Sequence, residues 1–269
     1  MARSLRIEYA NSFHHVMSRG YLRQTILKDS EDFEYFLSQL TRIYKKYGCI
    51  MHAYCLMNNH FHLLLQNPMK NLAKAMQLLL MSYARYFIKK YKTRGKVFET
   101  RYLSPLIDTE TYLTTVCRYI HQNPLGVISD DINDWEWSSY KYYLGLRDKP
   151  VFLETELLLN KFNNSLEEFE EFNLEQNDWT PCQERFSNTV LGSEKFIERI
   201  TLEHINPSVD TNIKDSYQIN KAYRNKVQEI KDYASKLKVD LKTQKLVLVH
   251  ELELSGFGKN GRFSCSLKF

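Results

Sequence analysis

The chain has 269 residues, enough for one or two domains of about 150 residues with a sizeable core. Its 43% hydrophobic and 26% charged residues exclude a disordered, collagen-like or disulfide-scaffold chain. The net charge of +5 is unevenly spread: residues 1–150 carry 21 Lys and Arg against 13 Asp and Glu, residues 151–213 carry 4 against 13, and residues 214–269 carry 12 against 6.

In chain order, Ser12 to Ser18 is short and apolar-rich and is followed by Gly20, which predicts a strand. After Asp29-Ser30, apolar residues recur every three or four positions from Phe33 to Tyr47, predicting an amphipathic helix capped by Asp29 or Ser30 and closed by Gly48. Cys49 to Met57 and His60 to Gln66 read as two strands of a hairpin turning at Asn58-Asn59. Asn71 to Tyr91 reads as a second helix, Val97-Phe98 with Tyr102 to Asp108 as a broken strand, and Thr109 to Asn123 as a third helix, capped by Thr109 and stopped at Asn123-Pro124. The order β-α-β-β-α-β-α predicts an α+β fold: a ferredoxin-like antiparallel sheet (split βαβ) with helices on one face, leaving the other face free for a partner.

Arg147-Asp148-Lys149-Pro150 reads as a boundary. The expected organisation is a domain over 1–148, an acidic helical linker over 149–213 and a mainly helical C-terminal extension over 214–269. No apolar run approaches the ~20 residues of a membrane span, and no apolar core follows Met1-Ala2-Arg3-Ser4, so a cytoplasmic protein with no membrane partner is expected. The five cysteines are scattered without a Cys-x-x-Cys pair, as expected of reduced, mostly buried thiols.

Three features could carry chemistry. His60 and His62 alternate with Phe61 on one strand, so both imidazoles leave the same face. Such a pair can grip one divalent cation, or can be two sheet histidines with no ligand. Tyr119 and Asn123 share a helix face and could place a nucleophile beside a metal ligand; taken by themselves, a core tyrosine and a helix-stopping asparagine account for them better. The stretch from Arg85 through Lys89 and Lys96 to Arg101 interleaves cations with Tyr86, Phe87, Tyr91 and Phe98, a composition suited to phosphates and stacked bases but also to a solvated helix face.

Five segments, in this order, carry a resemblance: Phe13-His14-His15-Val16-Met17-Ser18-Arg19-Gly20; Leu56-Met57-Asn58-Asn59-His60-Phe61-His62-Leu63-Leu64-Leu65; Gly95-Lys96-Val97-Phe98-Glu99-Thr100-Arg101-Tyr102; Arg118-Tyr119-Ile120-His121-Gln122-Asn123-Pro124-Leu125; and Asp134-Trp135-Glu136-Trp137-Ser138-Ser139-Tyr140. Residues from about 10 to 145 resemble the single-tyrosine HUH transposases of the insertion-sequence 200-like family, and most of all its REP-associated branch. The resemblance implies that His60 and His62 bind Mg²⁺ or Mn²⁺ with Asn123 as third ligand. It implies that Tyr119 is the nucleophile, and that Arg19, Arg85, Lys89, Lys96, Arg101 and Arg118 contact nucleic acid. The implied substrate is single-stranded DNA beside hairpins or palindromic repeats, cut through a 5′-phosphotyrosine, in a nucleoid-associated protein that can act as a homodimer.

The sequence departs from the family at two points. Asn58 stands where a proline is usual, and Gly126-Val127 stands where the family carries Arg-Ala. Ser187 to Ile200 resembles the tail of longer members, and Lys221 to Leu254 resembles the first helices of a DnaA-like helix-turn-helix. The residues after Leu254 lack a helical pattern, so a truncated or frame-shifted end is expected there. The alternative to a transposase is a domesticated binder of structured DNA or RNA that does not cleave. A third reading is a ferredoxin-like protein of unrelated function.

Overall fold

A computed structural model of the chain describes residues 7–175 and 190–204. In order these form β1 (Ser12–Arg19), α1 (Ser30–Tyr47), β2 (Ile50–Leu56), β3 (His60–Asn67), α2 (Leu72–Tyr91), β4 (Leu106–Ile107), α3 (Leu113–Gln122), α4 (Tyr140–Tyr143), α5 (Glu156–Leu159), α6 (Leu166–Leu174), β5 (Val190–Leu191) and α7 (Glu194–His204). The helix-turn-helix and truncation expected beyond residue 214 lie outside the described residues.

The sheet order is β2-β3-β1-β4-β5. β3 lies between β1 and β2 and is antiparallel to both, which is the expected split βαβ arrangement. β5 then adds parallel to β4, making the sheet mixed. The broken strand is reduced to Leu106–Ile107, with Leu103 bridging Met17 of β1 and Phe98 bridging Gly20 just past it, so the 97–107 segment follows β1 without forming a full ladder.

α1 begins where expected: the Asp29 carboxylate accepts from the Asp32 amide, and Gly48 closes the helix with a left-handed φ of 65°. Phe33, Phe36, Leu40 and Ile43 of α1 pack with Met76, Leu79, Tyr83 and Phe87 of α2 on the sheet face formed by Val16, Phe61, Leu63 and Leu65. The opposite face, expected to be free, is covered. Val116, Cys117 and Ile120 of α3, with Tyr140, Tyr143 and Phe169, close over Phe13, Ala53, Cys55 and Leu64. The reason lies in Phe13, Ala53, Cys55 and Leu64, which would otherwise leave an apolar surface in water. α3 starts at Leu113 rather than Thr109, because the Asp108 carboxylate takes the Glu110 amide and the Thr111 hydroxyl and holds the preceding residues in turns.

No boundary appears at 148–150. The Met51 amide donates to Phe152 O, the Glu154 amide donates to Met51 O, and Phe152 and Leu153 are buried in the α1/α2 core. The acidic run is the first part of α6, whose N-cap Ser165 accepts from the Glu168 amide and whose Phe169 packs under α3. The compact unit continues to His204. Residues 135–139 line the outer edge of β2 through Trp135 Nε1 to Leu56 O (2.9 Å), Leu56 N to Trp137 O (2.9 Å) and Ser139 N to Tyr54 O (2.9 Å), protecting an otherwise open strand edge. Cys49, Cys55 and Cys117 are free and buried, and burial pushes the Cys49 thiol up to about 12. Among the described residues no helix is long and apolar enough to cross a membrane.

His121 ties these layers together. Its Nε2 meets Ser139 Oγ at 2.8 Å and its Nδ1 meets Asn173 Oδ1 at 3.1 Å, so one buried ring joins α3, the β2-edge segment and α6. Burial lowers its pKa to about 4. The unfolded chain therefore holds the proton more tightly, and the stability His121 contributes is complete above about pH 6.5 and is lost as pH falls toward 4. Between pH ~7 and ~4.5, the urea-unfolding free energy of His121→Gln is expected to fall less than that of the native chain, by about 2–3 kcal/mol.

Candidate active site

The candidate site lies on the sheet face covered by α3. Strand alternation puts Phe61 and Leu63 in the α1/α2 core and turns His60 and His62 the other way. The β1–β3 register places Arg19 opposite His60 and Met17 opposite His62, so Arg19, Met17 and His15 share the histidines' face. The His60 and His62 rings stand nearly perpendicular with centroids 5.1 Å apart. The Tyr119 ring, half-buried on α3, is edge-on to His62 at 5.6 Å and to His15 at 5.7 Å. The histidine pair and the tyrosine thus meet within one chain.

The polar contacts orient each ring. His60 Nδ1 is 2.6 Å from Asn59 Oδ1, and the Asn123 side chain also hydrogen-bonds the ring. Asn123 caps α3 and donates Nδ2–H to Tyr119 O at 2.7 Å, which leaves its amide oxygen on the site side to accept. His62 Nδ1 meets His15 Nε2 at 2.9 Å, leaving His62 Nε2 as the outward nitrogen.

Electrostatics favour neutral imidazoles. Burial holds the His60 pKa below the ordinary histidine value, with the hydrogen bond to Asn123 opposing and the Arg19 charge adding. Burial, then the neighbouring His15 and His60, holds His62 well below it. Neutral imidazole is the form that donates a lone pair to a metal. Among the described residues no group of three or more His, Cys, Asp or Glu is placed to hold a metal ion. The His60–His62 pair reaches three donors only by adding the Asn123 amide oxygen. Two imidazole nitrogens and one amide oxygen fit a divalent cation that keeps open positions.

The expected basic contacts separate into three groups. Arg19 is exposed at the rim of the site, paired with Glu99 at 2.6 Å, and Lys96 and Arg101 are exposed on the segment that follows β1. Arg85 and Lys89 are exposed on α2, which packs on the opposite sheet face. Arg118 is not at the surface. It is 5% exposed, bonds Glu175 at 2.7 Å and Phe172 O at 3.3 Å, and lies 4.1 Å from the Phe172 ring centroid, so it fastens α6 to α3. Sequence reasoning gave no role to His15, whose importance depends on the β1–β3 register. Its signal was parity: on β1, His15 shares a face with Arg19 and Met17.

Because its partners are internal, Arg118→Ala is expected to cost about 1–2 kcal/mol of unfolding free energy in denaturant titration. Binding of single-stranded DNA by the same variant, followed by anisotropy, is expected to stay at the native level.

Residues 8–123 match the family model described as transposase IS200 like. Two solved structures resemble the chain. One, described as a REP-associated tyrosine transposase bound to a REP hairpin, is 12% identical with a TM-score of 0.47, covering 58% of this chain and 93% of its own. The other, a putative transposase from Deinococcus radiodurans R1, is 20% identical with a TM-score of 0.33, covering 45% of this chain and 97% of its own. No curated protein matches the chain.

Proposed function

We propose, from the match of residues 8–123 to the IS200-like transposase family model, that this chain is a metal-dependent strand transferase for single-stranded DNA, of the REP-associated kind, with Tyr119 as nucleophile. The observation that carries this reading is the approach of the Tyr119 ring to within 5.6 Å of His62 in the same chain. A binder without cleavage would have no need to hold a phenol edge-on to the imidazoles of His15 and His62.

His60 Nε2, His62 Nε2 and the Asn123 amide oxygen would hold Mg²⁺ or Mn²⁺. When bound, the cation withdraws charge from the scissile phosphate and steadies the negative charge that develops on it. The residues do the rest. Asn59 and His15 occupy the Nδ1 edges of His60 and His62, which fixes the rings and leaves both Nε2 atoms to point into the site. Tyr119 Oη attacks phosphorus in line. The new bond joins the phenolic oxygen to phosphorus, the bond from phosphorus to the 3′ oxygen breaks, and the phenolic proton is returned through solvent to that oxygen. The products are a 5′-phosphotyrosine and a free 3′-hydroxyl. The phosphodiester energy is retained, and another 3′-hydroxyl can reverse the step. Hairpin or palindromic repeats beside the cleavage point are the proposed DNA partner.

With wild-type protein, Mn²⁺ and a hairpin-bearing oligonucleotide, a covalent adduct is expected on a denaturing gel. Tyr119→Phe should give none while binding the same oligonucleotide with native affinity. An adduct that persists in Tyr119→Phe refutes Tyr119 as the nucleophile. The proximity within one chain also supports use of Tyr119 with its own histidines, whether or not a homodimer forms. A mixture of Tyr119→Phe and His62→Ala chains is then expected to stay inactive, whereas recovery of adduct in the mixture would mean that the tyrosine serves a partner subunit.

A further inference from the structure

The loop after β1 combines features that a purely structural turn does not need. Leu22 and Arg23 both hold left-handed backbone, with φ of 51° and 60°, although neither is glycine. Such backbone is unfavourable for a residue with a side chain and persists only where its surroundings enforce it. Here they do. Gly20 N donates to Asn59 O (2.8 Å), Tyr21 N to Val97 O (2.9 Å), and Arg23 N to Gly20 O (3.0 Å). Gln24 Nε2 donates to Val97 O (3.1 Å), and Asn59 Nδ2 approaches Arg23 O (3.4 Å). A Cβ on Gly20 would lie 2.2 Å from Gln24 O, so the knot closes only around glycine.

This rigid, strained loop presents apolar groups to water. Leu22 is 76% exposed and Tyr21 39% exposed. Their surroundings are basic: Arg19 and Arg23 flank them in the chain and are exposed, as is Lys96, whose Nζ lies 6.0 Å from the Tyr21 ring centroid, and Arg19 is paired with Glu99. Two apolar side chains are too small a patch for a protein interface, whereas an aromatic edge ringed by cations suits an unpaired base with its phosphates. The position is also specific. The loop is bonded to Asn59, whose Oδ1 holds His60 Nδ1.

We infer that Tyr21 and Leu22 form a stacking platform for one unpaired nucleotide next to the scissile phosphate, with Arg19, Arg23 and Lys96 on its phosphates. This inference rests on the strand-transferase reading above and adds to it a subsite for a single-stranded flank. The backbone strain at Leu22 holds a large side chain outward at a position where glycine would serve the fold better.

The test uses the full chain carrying Tyr119→Phe, so that binding is not obscured by covalent trapping. Two labelled oligonucleotides share one hairpin stem, one with unpaired tails and one blunt, and Tyr21→Ala and Leu22→Gly are compared with the parent by anisotropy. Loss of one stacked base should weaken binding of the tailed hairpin about tenfold in each variant, with the blunt hairpin unaffected. Leu22→Gly should melt no lower than the parent, since glycine relieves the left-handed strain. Unchanged binding of the tailed hairpin by both variants, with adduct formation by the native chain intact, overturns the platform alone. Equal weakening for tailed and blunt hairpins also overturns it, because the contact would then be to the duplex. If the native chain neither binds the tailed hairpin nor forms an adduct, the strand-transferase reading and the platform fall together.

Discussion

The antiparallel pairing of β1 with β3 decides what this protein can do. Its register sets Arg19 against His60 and Met17 against His62, and brings His15 into hydrogen-bonding distance of His62. Strand side chains alternate, so a slip of one residue would turn both imidazoles into the α1/α2 core and bring Phe61 and Leu63 beneath α3. That slip is heavily penalised. Phe61, Leu63 and Leu65 are fully buried on one side and Leu64 on the other, and each would need a new cavity. The packing that stabilises the sheet is therefore the same packing that aims the histidines.

The second requirement is a fixed height for Tyr119 above the sheet. α3 is short, and ten residues would not hold their own position in water. Val116, Cys117 and Ile120 press it onto β2 and β3, His121 links it to Ser139 and Asn173, and Arg118 anchors α6 against its outer side. Val116, Cys117, Ile120 and His121 are buried in packing, and Arg118 turns to α6. The half-buried phenol is left as the side chain of that helix turn that meets the imidazoles, with Asn123 one turn further on.

Much of this was legible in the sequence because it is local. Helical spacing located α1 and α2, and the Asp29 and Gly48 caps follow from their residue types. Period-two alternation gave the common face of His60 and His62, and a spacing of four related Tyr119 to Asn123. What stayed hidden depends on pairings across long stretches of chain. His15 meets His62 from 47 residues away, and Arg118 meets Glu175 from 57 away. A basic residue within a motif otherwise linked to DNA reads as a DNA contact until its acid is found. The covering of the second sheet face was missed for a related reason: the apolar residues of α3 and α6 were visible, but not the side of the sheet on which they would land. The acidic composition of residues 149–213 suggested a linker, and Phe169 within it is a core residue.

The central claim is that the outward nitrogens of His60 and His62, with the Asn123 amide oxygen, hold a divalent cation within reach of the Tyr119 hydroxyl of the same chain. The most direct measurement is a crystal structure of the Tyr119→Phe protein grown with Mn²⁺, read by anomalous scattering. The account predicts one strong manganese peak bounded by the two Nε2 atoms and the Asn123 oxygen, on the side of the histidines that faces residue 119. No peak there at saturating Mn²⁺, or a peak held by other residues, would contradict it.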